Sequence, residues 1–218
     1  MDLARYENRY VRIKTIYGDI LEGLAGYGDR EYLESEWGGG EEGLFIEDFL
    51  IYASQIESIE EIEVHGTAEL WTEQLTLRRY RREDARELAD MTGTGLYQNP
   101  EKARETVRRI IGSYADEHFY AWIMDYEDVG IGTIGAWNYD DDSIEAGFTV
   151  TERWRGRGLE TEALAKVLEY LTENECIPCV TAGCAPDDAL TRQAYEEAGM
   201  KRVPAADGRA VFEYRILP

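Results

Sequence analysis

The chain has 218 residues, 44% of them hydrophobic and only five of them proline, which fits one large domain or a small one beside a medium one and excludes disordered and fibrous classes. Its net charge of −22, from 45 acidic and 23 basic residues, opposes a phosphate backbone and favours cationic partners. Apolar runs fall far below the roughly 20 residues a membrane helix needs, and the N-terminus lacks a basic-then-apolar leader pattern, so a soluble cytoplasmic protein is expected.

Residues 1–65 hold 16 acids against 5 bases and are the more densely charged part. They read as short strands broken by glycine turns: Tyr10–Ile16, Ile20–Gly26, Glu31–Trp37, Leu44–Ile51 and Ile56–Val64. Val11, Ile13 and Thr15 alternate with Arg12 and Lys14, the period of a half-buried strand, while Gly18-Asp19, Gly28-Asp29 and Gly38-Gly39-Gly40 supply turns. Five short strands in this length predict a small closed barrel over 1–66. Weaker periodicity from His65 to Gln74 marks a linker over 67–74, and a second domain runs over 75–218.

There the pattern changes to strands alternating with amphipathic helices. Leu75–Arg81 is a strand, and Ala85, Leu88 and Ala89 begin a helical stripe. Asn99-Pro100 supplies an N-cap and a first-turn proline for a helix with Ala103, Val107, Ile110, Ile111 and Tyr114 on one side. Phe119–Tyr126, Ile131–Asn138 and Ile144–Val150 form an antiparallel meander. A long helix from Gly158 carries Ala163, Val167 and Leu171, then Cys179–Cys184 is a strand. Asp187 or Asp188 caps a helix bearing Leu190, Ala194 and Ala198 and stopped by Gly199. An Asp207-Gly208 turn closes a last hairpin.

The chemically informative segment is Val150 to Ala163, where a strand enters a helix through Arg153-Trp154-Arg155-Gly156-Arg157-Gly158. Glycines let backbone amides approach a phosphate, the helix start favours negative charge, and three arginines add fixed positive charge. Glu145 lies on the strand leading into this turn. Cys176, Cys179 and Cys184 leave an odd thiol and no fourth ligand nearby, with His65 and His118 distant in sequence. Packed thiols in a reducing compartment, with no disulfide and no metal, are the expectation.

The turn closely resembles the acetyl-CoA loop of the GNAT N-acetyltransferases, Gln/Arg-x-x-Gly-x-Gly/Ala. The similarity extends over residues 75–218, from Leu75-Thr-Leu-Arg-Arg-Tyr80 to Asp188-Ala-Leu-Thr191-Arg-Gln-Ala-Tyr195-Glu-Glu-Ala-Gly199-Met200. Thr161-Glu162-Ala163 is similar to the branch that acetylates N-terminal alanines of ribosomal proteins, and to its polyamine- and antibiotic-acetylating relatives. The resemblance implies an α+β fold whose second domain has a mixed, mostly antiparallel sheet flanked by helices. It also implies acetyl-CoA as co-substrate.

Two registers fit the loop, Arg153-x-x-Gly156-x-Gly158 and Arg155-x-x-Gly158-x-Glu160; Thr161-Glu162-Ala163 favours the second. Glu160 then stands where the family has Gly or Ala, a carboxylate beside the expected pyrophosphate that weakens binding unless it points outward or pairs with an arginine. By the same resemblance, Phe148, Thr149 and Val150 pair with the pantetheine arm. Arg155, Gly156, Arg157, Gly158, Leu159 and Glu160 wrap the pyrophosphate, Asp188 and Thr191 complete the cofactor site, and Tyr195 is the general acid. Glu145 is the candidate base, a cleft-facing carboxylate taking the proton that the amine must lose before it attacks the thioester, and an amide on the same strand steadies the oxyanion.

Residues 1–66 resemble the Sm-like family through Val11-Arg-Ile-Lys14, Gly18-Asp19, Leu21-Glu-Gly23-Leu24 and Gly26-Tyr27-Gly-Asp29. Where such rings bind RNA, this chain has Asp29-Arg-Glu-Tyr32 and Phe45-Ile-Glu47-Asp48, which repel phosphate, so a protein-contact or homo-oligomerising module is expected. The reading is an N-acetyltransferase acting on a protein N-terminus, polyamine or other small cationic amine. Two rivals are a non-catalytic acyl-CoA sensor and an RNA-associated modifying enzyme with the barrel as adaptor.

Overall fold

The computed structural model describes residues 2–7, 9–46, 49–62, 67–88, 91, 99–140, 142–204 and 208–216. The expectations resting on Glu47, Asp48, Glu63, His65, Ala89 and Asp207 lie outside them. The chain divides into two compact units, Met1–His65 and Gly66–Pro218.

The first unit is a five-stranded antiparallel sheet: β1 (Tyr10–Thr15), β2 (Ile20–Gly28), β3 (Gly43–Ile46), β4 (Phe49–Tyr52) and β5 (Ile56–Glu61), in the order β4-β3-β2-β1-β5. The period of two places Val11 and Ile13 in a core with Leu3, Ala25, Leu44, Ile46, Ile51 and Ile56. Arg12, between them on the wet face, bonds Glu22 and Glu60, its direct register partners on β2 and β5.

Three expectations are corrected here. Glu31–Trp37 is not a strand but lies in helix α1 (Arg30–Trp37): the Asp29 side chain accepts from the Tyr32 amide as N-cap, and Gly38 at φ 69° closes the C-terminus. Leu44–Ile51 is not one strand but the β3–β4 hairpin, with Ile46 opposite Phe49. The closed barrel is not found. Among the described residues β4 pairs only with β3 and β5 only with β1, leaving both as sheet edges.

The second unit is an eight-stranded sheet in the order β12-β13-β11-β10-β9-β8-β7-β6. Its strands are β6 (Leu70–Trp71), β7 (Thr76–Arg78), β8 (Tyr120–Tyr126), β9 (Val129–Trp137), β10 (Ser143–Val150), β11 (Cys179–Cys184), β12 (Lys201–Val203) and β13 (Ala210–Arg215). The 67–74 stretch is therefore no pure linker, because Leu70 is buried and pairs with Leu77. Neighbours run antiparallel except β10 and β11, which are parallel and joined through helix α3 (Leu159–Glu169) and a π-helical extension, Tyr170–Asn174. Helix α2 (Pro100–Gly112) starts at the Asn99 cap and buries Ala103, Val107 and Ile111. Helix α4 (Ala189–Glu197) starts at Asp188, whose side chain accepts from the Thr191 amide; Leu190, expected on its inner stripe, is exposed.

The even residues of β10, Ile144, Ala146 and Val150, join a core with Ala163, Leu164, Val167, Trp122 and Phe212, and Phe148 packs against it. Burial of this apolar surface is the main force holding helix to sheet. On β9, a Cβ at Gly132 would collide with the Thr149 carbonyl oxygen and the Val150 Cα, so only glycine admits the approach of β10.

Candidate active site

The parallel pairing that holds β10 to β11 covers only Ser143–Cys179, Ile144–Val180 and Glu145–Thr181. Beyond Glu145, Ala146 to Val150 stay paired with β9, and Ala182 to Cys184 with β13, but no longer with each other. The sheet thus splays at its centre, and backbone groups of β10 and β11 are left for another partner. At the wide end β10 runs through a short 3-10 turn, Glu152–Trp154, into α3. Gly158 is the helix N-cap at φ 83° and Gly156 has φ 70°, a left-handed backbone that glycine accepts readily. Gly158, common to both registers of the loop pattern, thus marks the start of the helix, where the first turn of amides has no intrahelical acceptor.

Arg155 is held in place from α4: its Nη2 donates to Asp188 at 3.0 and 3.1 Å and to the Thr191 hydroxyl at 3.3 Å. Burial alone would raise the Asp188 pKa, but the Thr191 amide and hydroxyl and the Arg155 charge outweigh it and hold that carboxyl below its usual range. Arg153 and Arg157 both lie over the Trp154 ring, 5.7 and 4.7 Å from its centroid. Three arginines thus converge on the turn, one already in an ion pair and two on an aromatic platform. Leu159 points into the core, leaving its backbone as the part that faces the turn.

Glu160 does what the sequence did not reveal. Instead of pointing outward or pairing with an arginine, its side chain is 4% exposed and folds back over the turn, Oε1 accepting from the Gly156 amide at 2.7 Å. Its Oε2 is buried with no hydrogen-bond partner. Glu162, two residues on, instead ties the helix start to the β6–β7 turn by accepting from the backbone and side-chain nitrogens of Gln74 at 2.8 and 2.9 Å. Burial opposes its charge, yet hydrogen bonds from Thr72, Gln74 and Glu73 keep its pKa lowered.

Tyr195 projects from α4 between the splayed strands. Its ring is edge-on to Phe148 at 5.6 Å and tilted on Phe212 at 5.2 Å, and its hydroxyl reaches the Gly183 carbonyl oxygen at 3.5 Å. Burial, then the nearby Cys184, Asp188 and Glu145, push its pKa well above the ordinary tyrosine value. Glu145 lies on the opposite face of β10, by the alternation of a strand. It accepts from Asn138 Nδ2 at 3.2 Å and stands 4.0 Å from Arg209 Nη1. Gly147 and Thr149 share that face, Gly147 lying against the Trp137 ring. The fold thus joins Arg155 to Asp188 and Thr191, Gly156 to Glu160, and Tyr195 to Phe148, whereas Glu145 and Thr149 lie on the other face of β10.

Cys176, Cys179 and Cys184 are free thiols, but only Cys179 is fully buried; Cys176 is exposed and Cys184 half-buried, so the picture of three packed core thiols is corrected. Among the described residues no cluster of three or more His, Cys, Asp or Glu side chains is arranged to hold a metal ion.

The model of the acetyltransferase (GNAT) domain matches residues 74–201. The chain belongs to the GNAT acetyltransferase family. Solved structures share this fold at low identity. A ribosomal-protein-serine acetyltransferase from Vibrio cholerae, itself assigned by inference, superposes with a TM-score of 0.60 at 15% identity, over 68% of this chain and 98% of that one. An acetyltransferase from Agrobacterium tumefaciens gives 0.57 at 20% identity, over 72% and 99%. The microcin C7 self-immunity acetyltransferase, solved with acetyl-CoA and AMP, gives 0.57 at 13% identity, over 66% and 93%. The GNAT chain is an acetyl-CoA-dependent acetyltransferase, with acetyl-CoA as co-substrate. The splayed strands and the glycine-capped helix start suit an elongated thioester arm joined to a diphosphate; the Gly156 amide is already bonded to Glu160.

Proposed function

We propose that this chain moves acetyl from acetyl-CoA directly to a primary amine carried by a cationic acceptor: a protein N-terminus, a polyamine or another small cationic amine. The observation that carries the reading is the loss of β10–β11 pairing beyond Glu145 and Thr181, directly upstream of a glycine-capped helix start. In this reading Phe148 to Val150 offer backbone bonds to the pantetheine arm, and the amides from Arg157 to Thr161 receive the diphosphate beside Arg155 and Arg157. Holding both substrates in one cleft supplies much of the rate, since attack becomes effectively unimolecular.

Glu145 and Tyr195 flank β10 from opposite faces, which supports separate roles. Glu145 takes a proton from the acceptor ammonium, directly or through water, and the freed amine then attacks the thioester carbon. Tyr195, kept neutral by burial, gives its proton to the departing CoA thiolate. A backbone amide of β10 steadies the oxyanion of the tetrahedral intermediate. The charge of −22 draws cationic acceptors and repels nucleic acid. The N-terminal sheet, acidic in sequence and with β4 and β5 as edges among the described residues, serves in this reading as a protein-contact or self-association module.

Release of CoA thiol from acetyl-CoA, followed across basic N-terminal peptides, polyamines and neutral amines, tests the proposal. Turnover with cationic amines supports it; acetyl-CoA binding with no turnover on any of them contradicts it.

A further inference from the structure

Glu160 carries a consequence specific to this chain. The family pattern has Gly or Ala at this position, whereas here a glutamate side chain ending in a carboxyl group returns to the turn. The contact is short and enclosed: Oε1 lies 2.7 Å from the Gly156 nitrogen, and the residue is 4% exposed. It is also incomplete. A carboxylate has roughly four acceptor positions, yet Oε2 is buried without a hydrogen-bond partner. Burying a charged oxygen unsatisfied is costly unless something else in the fold favours it. Here two things do: the helix start, where a carboxylate in the first turn of α3 meets the positive end of the dipole, and the Gly156 amide itself.

These are the two features of the turn that would otherwise receive a diphosphate. We propose that Glu160 is a resident anion of the cofactor turn, competing with the CoA diphosphate for the Gly156 amide and the α3 N-terminus, so that it sets the chain's affinity for acyl-CoA. The inference rests on the acetyl-CoA reading above. Binding then requires Glu160 to release Gly156 or to share the turn with two further negative charges, and like charges at this separation repel strongly where water is excluded. Arg155 offsets this only in part, since its Nη2 is already shared with Asp188 and Thr191.

The test uses the full chain and two variants. Glu160→Gln keeps the shape and an acceptor for Gly156 but removes the charge; Glu160→Ala removes both. Dissociation constants for CoA and for S-acetylpantetheine, which lacks the diphosphate, are measured by calorimetry or competition, with circular dichroism to confirm folding. CoA is expected to bind tenfold or more tightly to both variants, the Ala variant at least as strongly as the Gln variant, with S-acetylpantetheine unchanged. CoA affinities within threefold of the parent, or weaker in both variants, overturn the proposal while leaving the acetyl-CoA reading intact. An equal gain for S-acetylpantetheine also overturns it, since the effect would not act through phosphate. No CoA binding by any of the three overturns both.

Discussion

Replacing Tyr195 with Phe separates chemistry from packing. The ring contacts with Phe148 and Phe212 are kept, because phenylalanine presents the same ring at 5.6 and 5.2 Å. Only the hydroxyl is lost, and its contact with the Gly183 oxygen, at 3.5 Å, is at the outer limit of a hydrogen bond. A typical intramolecular hydrogen bond contributes about 0.5–1.5 kcal/mol, so this one belongs at or below the lower end. That corresponds to a Tm change of no more than roughly 2 °C in a unit of this size. Losing a positioned acid costs far more, roughly 100-fold or greater in kcat. Steady-state thiol release at saturating acetyl-CoA and amine, with a parallel melting curve, should show kcat reduced about 100-fold, Tm nearly unmoved and the acetyl-CoA KM little changed. Because burial raises the Tyr195 pKa, its proton is also present throughout the range below the ordinary tyrosine value, so this group causes no alkaline fall in the parent's kcat there. A kcat within twofold of the parent refutes the acid role, and a large drop in Tm would show the hydroxyl to be structural instead.

Further outcomes follow from the same geometry. Arg78 forks onto Asp84 with both terminal nitrogens at 2.8 Å and also donates to Asp125, all three side chains being 15% exposed or less. Arg78→Met should cost about 3–5 kcal/mol in urea unfolding by leaving two carboxylates enclosed without their cation; Arg12→Ala, on a solvated ladder, should leave the midpoint unmoved. Gly132→Ala forces a Cβ into the β10 backbone and should give no soluble folded protein. Gly158→Ala meets nothing within 4 Å and should cost only the left-handed backbone, about 1–2 kcal/mol, while raising the acetyl-CoA KM. Burial, then the Glu175 hydrogen bond and charge, push Tyr170 up to about 12. Unfolded phenols release their protons near about pH 10 while the folded one keeps its own, so stability should fall as pH rises from about 10 to 12. Tyr170→Phe should reduce that slope by one proton's share, the remainder coming from other raised tyrosines such as Tyr195, as read by urea titrations across the window; an unchanged slope removes the assignment.

Much of the second unit was legible because its signals were local. Asn99-Pro100 is an N-cap with a first-turn proline wherever it occurs before an amphipathic stripe, and α2 begins there. The glycine-arginine turn announced a strand entering a helix, and Gly158 caps α3. The N-terminal unit misled for an equally local reason. In Arg30–Trp37 only Leu33 is buried, so neither a helical nor a strand period is written in the apolar residues; the Asp29 cap and the Gly38 stop carry the information, and Gly28-Asp29 resembles a hairpin turn. β6 escaped notice because two residues leave no period to read. At the site, residue types suggested the cleft but not its non-local parts. The splay depends on where β11 leaves β10, the Arg155–Asp188 clamp spans α3 and α4, and the return of Glu160 to Gly156 depends on a rotamer and on burial.

The central claim is that acyl-CoA lies in the β10–β11 splay with its diphosphate at the start of α3. Backbone amide hydrogen exchange with and without acetyl-CoA tests it most directly. The account predicts slowed exchange concentrated in Ala146 to Val150 and in the 157–161 amides, with β1 to β5 unaffected. Unchanged exchange in both segments under saturating acetyl-CoA, or protection confined to another part of the chain, would contradict it.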